Sequence, residues 1–125
     1  MSPRSLAVFV PLVLLALGSC AEDEPPDLTG MVYASMCDPD ATISFEDTDS
    51  AVVNRNGCEG YASEPWDYVI DGDELIMAFP GRLDDPSFVK ERFRVSADAS
   101  TLTLTSDYSF FACGNCQTGD QWVRQ

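Results

Sequence analysis

Residues 66–79, with the sequence WDYVIDGDELIMAF, indicate the fold of this chain. In the first five residues, the apolar side chains of Trp66, Tyr68 and Ile70 occupy every second position. This period of two is typical of a half-buried β-strand. Residues 71–73 (DGD) then interrupt the pattern with amino acids that favour tight turns. A second apolar segment follows at once, and two strands joined by so short a connection must be antiparallel neighbours.

Similar short apolar segments recur along residues 28–125, and no stretch of ten or more residues has a helical period. The strands predicted from them are residues 28–36, 41–46, 51–57, 66–70, 74–79, 88–96, 101–106 and 121–124. An eight-stranded meander with one apolar face can remove its exposed edges by closing on itself. We therefore predict an all-β domain, an eight-stranded antiparallel meander closed into a small barrel.

The N-terminus has the pattern of an export signal. One positive charge, Arg4, precedes twelve apolar residues at 6–17, which are too few for a membrane-spanning helix. Residues 17–20 (LGSC) resemble the lipobox of bacterial lipoproteins. The resemblance implies acylation of Cys20 and removal of residues 1–19. An ordinary secretory signal or a single-pass anchor is the alternative, and either would also export the domain.

Residues 20–27 are predicted to form the lipidated N-terminus and a flexible, acidic, proline-containing tether. Two or more acyl chains of the palmitate type on one cysteine would hold the protein firmly on a membrane. Ala21 stands directly after Cys20, where an aspartate is typical of retention in the inner membrane. We therefore expect the cell envelope as the location, and the outer membrane of a diderm bacterium in particular.

Composition excludes several classes of function. The chain has 7 basic and 21 acidic residues and a net charge of −14, and removal of the signal would also remove Arg4. This acidity opposes binding to nucleic acid or to anionic lipid headgroups. Histidine is absent, which excludes Ser-His-Asp and Cys-His nucleophiles and His-ligated zinc. The acidic segments 47–49 and 71–74 do not match a complete calcium loop and suit turns better. We expect no catalysis, no cofactor and no metal.

Four cysteines follow the signal: Cys37, Cys58, Cys113 and Cys116. The predicted meander places all four at the end of the barrel remote from the tether, and an even number in an exported domain favours disulfides. The preferred pairing is Cys37 with Cys58 and Cys113 with Cys116, and the other pairings stay open. A redox-active C-x-x-C site at residues 113–116 and a four-cysteine zinc site are the alternatives. The redox site lacks the helix N-terminus that usually stabilises the reactive thiolate. The zinc site would have only one C-x-x-C motif among its four ligands.

Two further groups of residues bear on binding. Tyr108, Phe110 and Phe111 form an aromatic cluster beside Cys113, which is a partner or ligand surface if exposed and a plug over the barrel mouth if turned inward.

Three basic residues alternate with Glu91, Phe93 and Val95 along the sixth predicted strand. We predict that Phe93 and Val95 face the core while Lys90, Arg92 and Arg94 face outward to the acidic surface, each exposed pair contributing little. An anion site inside the barrel is the alternative.

Several short motifs carry a family resemblance. They are Leu28-Thr29-Gly30, Ile43-Ser44-Phe45, Gly57-Cys58-Glu59-Gly60-Tyr61, Gly72-Asp73-Glu74-Leu75-Ile76, Leu102-Thr103-Leu104 and Trp122-Val123-Arg124. Together they resemble the small lipocalin-like and META-type domains of bacterial lipoproteins. Such domains usually carry a tryptophan that plugs the barrel floor, and this chain has Val32 there. No binding residues carry over, because the shared pattern belongs to the scaffold.

These observations predict a membrane-anchored envelope lipoprotein with a monomeric, non-catalytic binding domain. Its ligand is a small molecule or an envelope protein, engaged at the rim that carries the cysteines. An inhibitor or assembly lipoprotein that docks on another protein is the first alternative, and a C-x-x-C thiol redox protein is the second. An open cavity of about 300 Å³ or more would favour a small ligand, whereas a filled interior with exposed aromatic side chains would favour a protein.

Overall fold

A computed structural model describes residues 25–38, 40–57, 60–106 and 116–125. Its strands are β1 (Val32–Ser35), β2 (Thr42–Phe45), β3 (Ser50–Gly57), β4 (Gly60–Asp71), β5 (Glu74–Ala78), β6 (Glu91–Val95), β7 (Thr101–Leu104) and β8 (Gln121–Arg124). Each strand pairs antiparallel with the next, and β8 returns to pair with β1. The all-β prediction of an eight-stranded closed barrel is confirmed. Within the described ranges, no helix is long and apolar enough to cross a membrane.

Over the residues that the structure describes, the alternate side chains that each strand turns inward occupy the interior of the barrel. The largest fully buried ones are Trp66, Trp122, Tyr33, Phe45, Phe93, Leu28, Ile43, Leu75, Met77, Leu102 and Leu104. Aromatic rings among them meet edge to face, with centroids 5.7 Å apart for Tyr33 and Phe45 and 6.1 Å apart for Phe93 and Trp122. Eight strands give a barrel just wide enough for such filling. Each large apolar side chain buried here stabilises the fold by about 1.5–3 kcal/mol.

The floor of the barrel lies at the end where residues 25–31 lead into β1. Leu28 is fully buried there. The backbone N–H of Gly30 donates to the carbonyl of Phe45 at 2.8 Å, and the N–H of Phe45 donates to the carbonyl of Met31 at 2.9 Å. Val32, at the start of β1, is 36% exposed. Leu28 therefore contributes a buried apolar side chain at this end of the barrel.

Two tyrosine hydroxyls connect loops at the floor of the barrel to the core. The hydroxyl of Tyr33 donates to the carbonyl of Ala99 at 2.5 Å, and that of Tyr68 donates to the carbonyl of Asp47 at 2.5 Å. Burial of the ring is the largest cause that raises the pKa of each phenol. Both tyrosines therefore hold a surface loop from inside the barrel.

Strand boundaries differ from the sequence prediction mainly in β4. It was expected over residues 66–70 and runs over Gly60–Asp71. We call residues 60–65 the upper half of β4. The sequence did not predict it as strand because Pro65 and Gly60 are residue types that are rare inside strands. The first strand begins at Val32 rather than at residue 28, because the chain first turns beneath the floor.

Candidate functional site

The barrel has two distinct ends. Strand β1 runs away from the floor, so Cys37 follows its far end, and Cys116 lies at the same end in the segment that enters β8. We call this end, marked by Met36, Cys37, Tyr61, Val89 and Cys116, the cysteine-bearing rim. Cys37 and Cys116 therefore lie at the end of the barrel opposite to the floor.

A disulfide joins Cys37 to Cys116, with their Cα atoms 5.2 Å apart. The preferred pairings, Cys37 with Cys58 and Cys113 with Cys116, are therefore wrong. The meander indicated the correct end of the barrel but not the position of each cysteine around its circumference. In a closed barrel β1 and β8 are neighbours although they lie at opposite ends of the chain. Cys58 and Cys113 lie outside the described residues.

Ser35 organises the turn that carries this disulfide. Its hydroxyl oxygen accepts the backbone N–H of Cys37 at 3.0 Å and that of Asp38 at 2.9 Å. The same oxygen lies 2.9 Å from the Sγ atom of Cys37 and 3.4 Å from that of Cys116. Disulfide sulfurs have no proton to donate, so the hydroxyl is the donor. Sequence analysis did not single out Ser35, since a serine at a strand end has no distinguishing pattern.

A buried carboxyl group lies inside the barrel on β6. Glu91 is fully buried, and the hydroxyl of Ser106 donates to its Oε1 atom at 3.3 Å. Ser106 Oγ in turn accepts the backbone N–H of Arg92 at 3.3 Å. Sequence analysis missed Glu91, although it has the same parity along the strand as Phe93 and Val95, which do face the core.

Arg92 and Arg94 face outward, as predicted, whereas the half-buried Lys90 precedes the strand and donates its ammonium group to the carbonyls of Asp85 at 2.6 Å and Phe88 at 2.9 Å. The Nη1 atom of Arg92 lies 3.2 Å from the Oε2 atom of Glu74 on the neighbouring strand, and Arg94 is exposed. The alternative of an anion site that these residues would form inside the barrel is therefore wrong. Pairs this exposed contribute at most about 1 kcal/mol each.

A second polar group belongs to β3 and β4. The Nη2 atom of Arg55 lies 3.5 Å from the Oε2 atom of Glu64, and their side chains are 14% and 27% exposed. The Oε1 atom of Glu64 accepts the indole N–H of Trp66 at 3.1 Å. Glu64 shares the inward face of β4 with Trp66 and Tyr68. A polar layer with both signs of charge thus adjoins the apolar core.

The acidic segments form turns. In the segment 47–49, the Oδ1 atom of Asp47 accepts the backbone N–H of Asp49 at 3.1 Å and that of Ser50 at 2.9 Å. These bonds, the first of them most, lower the pKa of Asp47. Asp71 and Glu74 face each other across a tight hairpin. Over the part of the chain that is described, no three metal-ligating side chains gather.

Apolar side chains are exposed at the cysteine-bearing rim. Met36 is 70% exposed, Tyr61 61% and Val89 45%. The predicted rim residues Tyr108, Phe110 and Phe111 lie outside the described residues. A surface pocket of 390 Å³ opens at the floor, lined by Pro25, Pro26, Asp27, Leu28, Thr48, Asp49, Tyr68, Val69 and Ile70. It lies at the end of the barrel opposite to the rim.

Comparisons of this chain with protein-family models, with curated proteins and with solved structures found no match.

Proposed function

We propose that this protein is a lipoprotein, held on a membrane of the cell envelope through acylated Cys20, whose barrel binds another envelope protein at the cysteine-bearing rim and catalyses no reaction. One observation carries the proposal: the described interior is occupied by core side chains, while Met36, Tyr61 and Val89 expose apolar surface at the rim. Exposed apolar residues at the edge of a filled barrel suit a protein partner.

The filled interior weighs against a small ligand inside the barrel. Trp66, Trp122 and Phe93 are fully buried and pack within the same core cluster. A ligand site of ordinary size needs about 300 Å³ or more. Displacing even one such aromatic side chain would cost about 3–5 kcal/mol, comparable to truncating it. A protein that docks on the rim needs no such rearrangement.

The charge of the chain limits the kind of partner. A net charge of −14 repels acidic proteins and attracts basic surfaces over a distance comparable to the Debye length. Complementary charge raises the rate of association and excludes wrong partners more than it adds affinity. We therefore propose a partner with a basic contact surface.

The disulfide supports a structural role for the cysteines over a redox role. Cys116 is bonded to Cys37. A C-x-x-C oxidoreductase would instead cycle a bond between Cys113 and Cys116. A bond between chain-distant loops stabilises the rim on which the partner docks.

Site-specific photocrosslinking in intact cells tests the proposal. A crosslinking amino acid replaces Met36 or Val89 at the rim, and Val123, 36% exposed on the wall of the barrel, is the matched control. We expect the two rim positions to capture one defined envelope protein that the wall position does not capture. Equal capture at all three positions, or a lipid or metabolite that co-purifies in equal amount with the protein, would contradict the proposal.

The captured protein also distinguishes the two kinds of docking lipoprotein. An inhibitor holds an envelope enzyme, and its deletion raises the activity of that enzyme. An assembly lipoprotein holds a structural component, and its deletion lowers the amount of the assembled complex.

A further inference from the structure

Strand β4 has one backbone edge that no described strand covers in its upper half. On one side β3 pairs with β4 along its whole upper half, from Ser50 opposite Asp67 to Gly57 opposite Gly60. On the other side β5 ends at Ala78, which lies opposite Asp67. Residues 61–65 therefore have a neighbour on one side only among the strands that the structure describes.

The direction of each backbone group on this edge follows from one hydrogen bond. The N–H of Tyr68 donates to the carbonyl of Asp49 at 3.1 Å, on the side of β3. Backbone groups of a strand alternate between its two sides, so those of even-numbered residues of β4 point toward β3 and those of odd-numbered residues point away. The open edge thus presents the N–H and C=O groups of Tyr61 and Ser63 and the C=O group of Pro65.

Pro65 fits this assignment. Its nitrogen has no hydrogen, and the parity turns that nitrogen toward the open edge, so no bond to β3 is lost. Natural sheets protect open edges with proline, charge or short length. Here proline removes one donor and leaves those of Tyr61 and Ser63. All three residues are exposed to solvent, Tyr61 by 61%.

We propose that this open edge, residues 61–65 at the cysteine-bearing rim, docks an extended, basic segment of the partner protein, which adds a strand to β4. The inference rests on the proposed function and specifies how the partner binds. In strand addition the backbone hydrogen bonds provide affinity, and side chains on alternate positions provide specificity. On the outer face the incoming strand lies beside Tyr61, an aromatic side chain suited to cross-strand packing.

Charge selects the occupant. A second copy of this chain has the complementary edge but also the same net charge of −14, which opposes self-association. A lysine- or arginine-containing segment gains from the same field. A basic partner strand is therefore favoured over pairing of two copies.

The first test uses the full chain, purified in detergent, and two labelled probe peptides of equal charge and length. One alternates lysine with valine, and the other alternates lysine with proline and cannot form a strand ladder. We expect the lysine–valine peptide to bind at least about tenfold more tightly by fluorescence anisotropy, corresponding to one or two hydrogen bonds. Equal affinity for both peptides would show mere charge attraction and overturn the proposal.

Hydrogen exchange locates the bound peptide on the unmodified protein. At saturating lysine–valine peptide, exchange of the Tyr61 and Ser63 amides should slow by at least about tenfold, as expected for amides that gain a ladder partner. Unchanged exchange at these two amides would overturn the proposal, whatever the affinity.

Substitution at Ser63 separates backbone from side chain. Ser63→Pro removes an edge donor without removing a bond to β3, and should weaken binding of the lysine–valine peptide by about tenfold. Ser63→Val retains the N–H group and should bind within about twofold of the original chain. Equal affinity of both variants would overturn the proposal, and the exchange measurement decides the matter if the proline variant does not fold.

Two outcomes keep this inference distinct from the proposed function. Rim crosslinks at Met36 and Val89 that persist unchanged in the Ser63→Pro chain would leave docking intact and overturn strand addition. Peptide binding at the edge in a protein that captures no envelope protein would contradict the function alone.

A Ser63-dependent dimer of the free chain in sedimentation would assign the edge to a second copy and overturn the basic-strand proposal.

Discussion

Cys37 and Cys116 covalently join the segment after β1 to the segment before β8, across 79 residues of sequence. Their bond lies beside the ladder in which Ser35 of β1 pairs with Trp122 of β8. Just beyond the end of β1, the N–H of Met36 donates to the carbonyl of Gln121 at 3.0 Å. The disulfide therefore reinforces the one strand pair that joins the beginning of the barrel to its end.

Removing this bond should destabilise the barrel substantially. The double variant Cys37→Ala, Cys116→Ala frees a long loop in the unfolded state, and its free energy of unfolding should fall by about 2–5 kcal/mol. Guanidinium unfolding of the oxidised protein measures this. The matched variant Ser35→Ala keeps the bond and loses only the hydroxyl contacts, so it should lose about 1 kcal/mol. Equal losses for the two would mean that the covalent link contributes nothing.

The observed bond also changes the expected partner of the other two cysteines. All four were predicted to form disulfides, and with Cys37 and Cys116 paired only one combination remains, Cys58 with Cys113. Mass spectrometry of a non-reduced protease digest should find that cross-linked peptide pair and no free thiol. A bridge between Cys113 and Cys116 would contradict the prediction.

Tyr33 should stabilise the lower end of the barrel through its hydroxyl. Tyr33→Phe preserves the ring and its contact with Phe45 but leaves the carbonyl of Ala99 without its donor. Loss of one buried hydrogen bond should lower the free energy of unfolding by about 1–2 kcal/mol in denaturant titrations. Tyr61→Phe, at an exposed position, is the control and should change stability by less than about 0.5 kcal/mol. Equal effects of the two would contradict a specific role for the buried hydroxyl.

Asp98 should make the stability of the turn at residues 96–100 depend on pH. Hydrogen bonds from the Ser100 hydroxyl first, then from the Ser100 backbone and the Ser96 hydroxyl, lower the pKa of Asp98 to about 2. A carboxyl group with a depressed folded-state pKa contributes stability that is fully present above its unfolded value, near 3.8, and is lost as the pH falls toward 2. Side-chain carboxyl NMR should show a midpoint near 2 for Asp98. Ser100→Ala should move that midpoint upward, and an unchanged midpoint would contradict the assigned cause.

The strands whose alternation is uninterrupted could be predicted from the sequence. Residues 101–104 alternate threonine and leucine and form β7 with both leucines buried. The upper half of β4 could not be predicted in this way, because Pro65 belongs in a strand only at an edge, and edges are defined by the tertiary fold.

The candidate site followed the same division between local and tertiary information. The meander predicted the end of the barrel at which Cys37 lies, since strand direction is a local property. The pairing with Cys116 depends on ring closure, and the inward position of Glu91 on strand parity, which charge alone argues against. Ring closure is tertiary information that local patterns lack, whereas the parity of Glu91 is visible in the sequence and is masked there only by its charge.

Cys20→Ala tests the membrane anchor, on which the proposed location depends. Each buried methylene of an acyl chain contributes about 0.8 kcal/mol, so two or more chains hold a protein on a membrane. A protein without any acyl chain makes only weak contacts with it. The acidic surface of the chain also opposes adsorption to anionic headgroups. The variant should therefore move from the membrane fraction to the soluble fraction after cell lysis, and mass spectrometry should find no acyl chain on it. Ser19→Ala, which keeps a small residue before Cys20, is the matched control and should stay acylated in the membrane fraction. An alanine variant that remains in that fraction and still carries lipid would contradict acylation at Cys20.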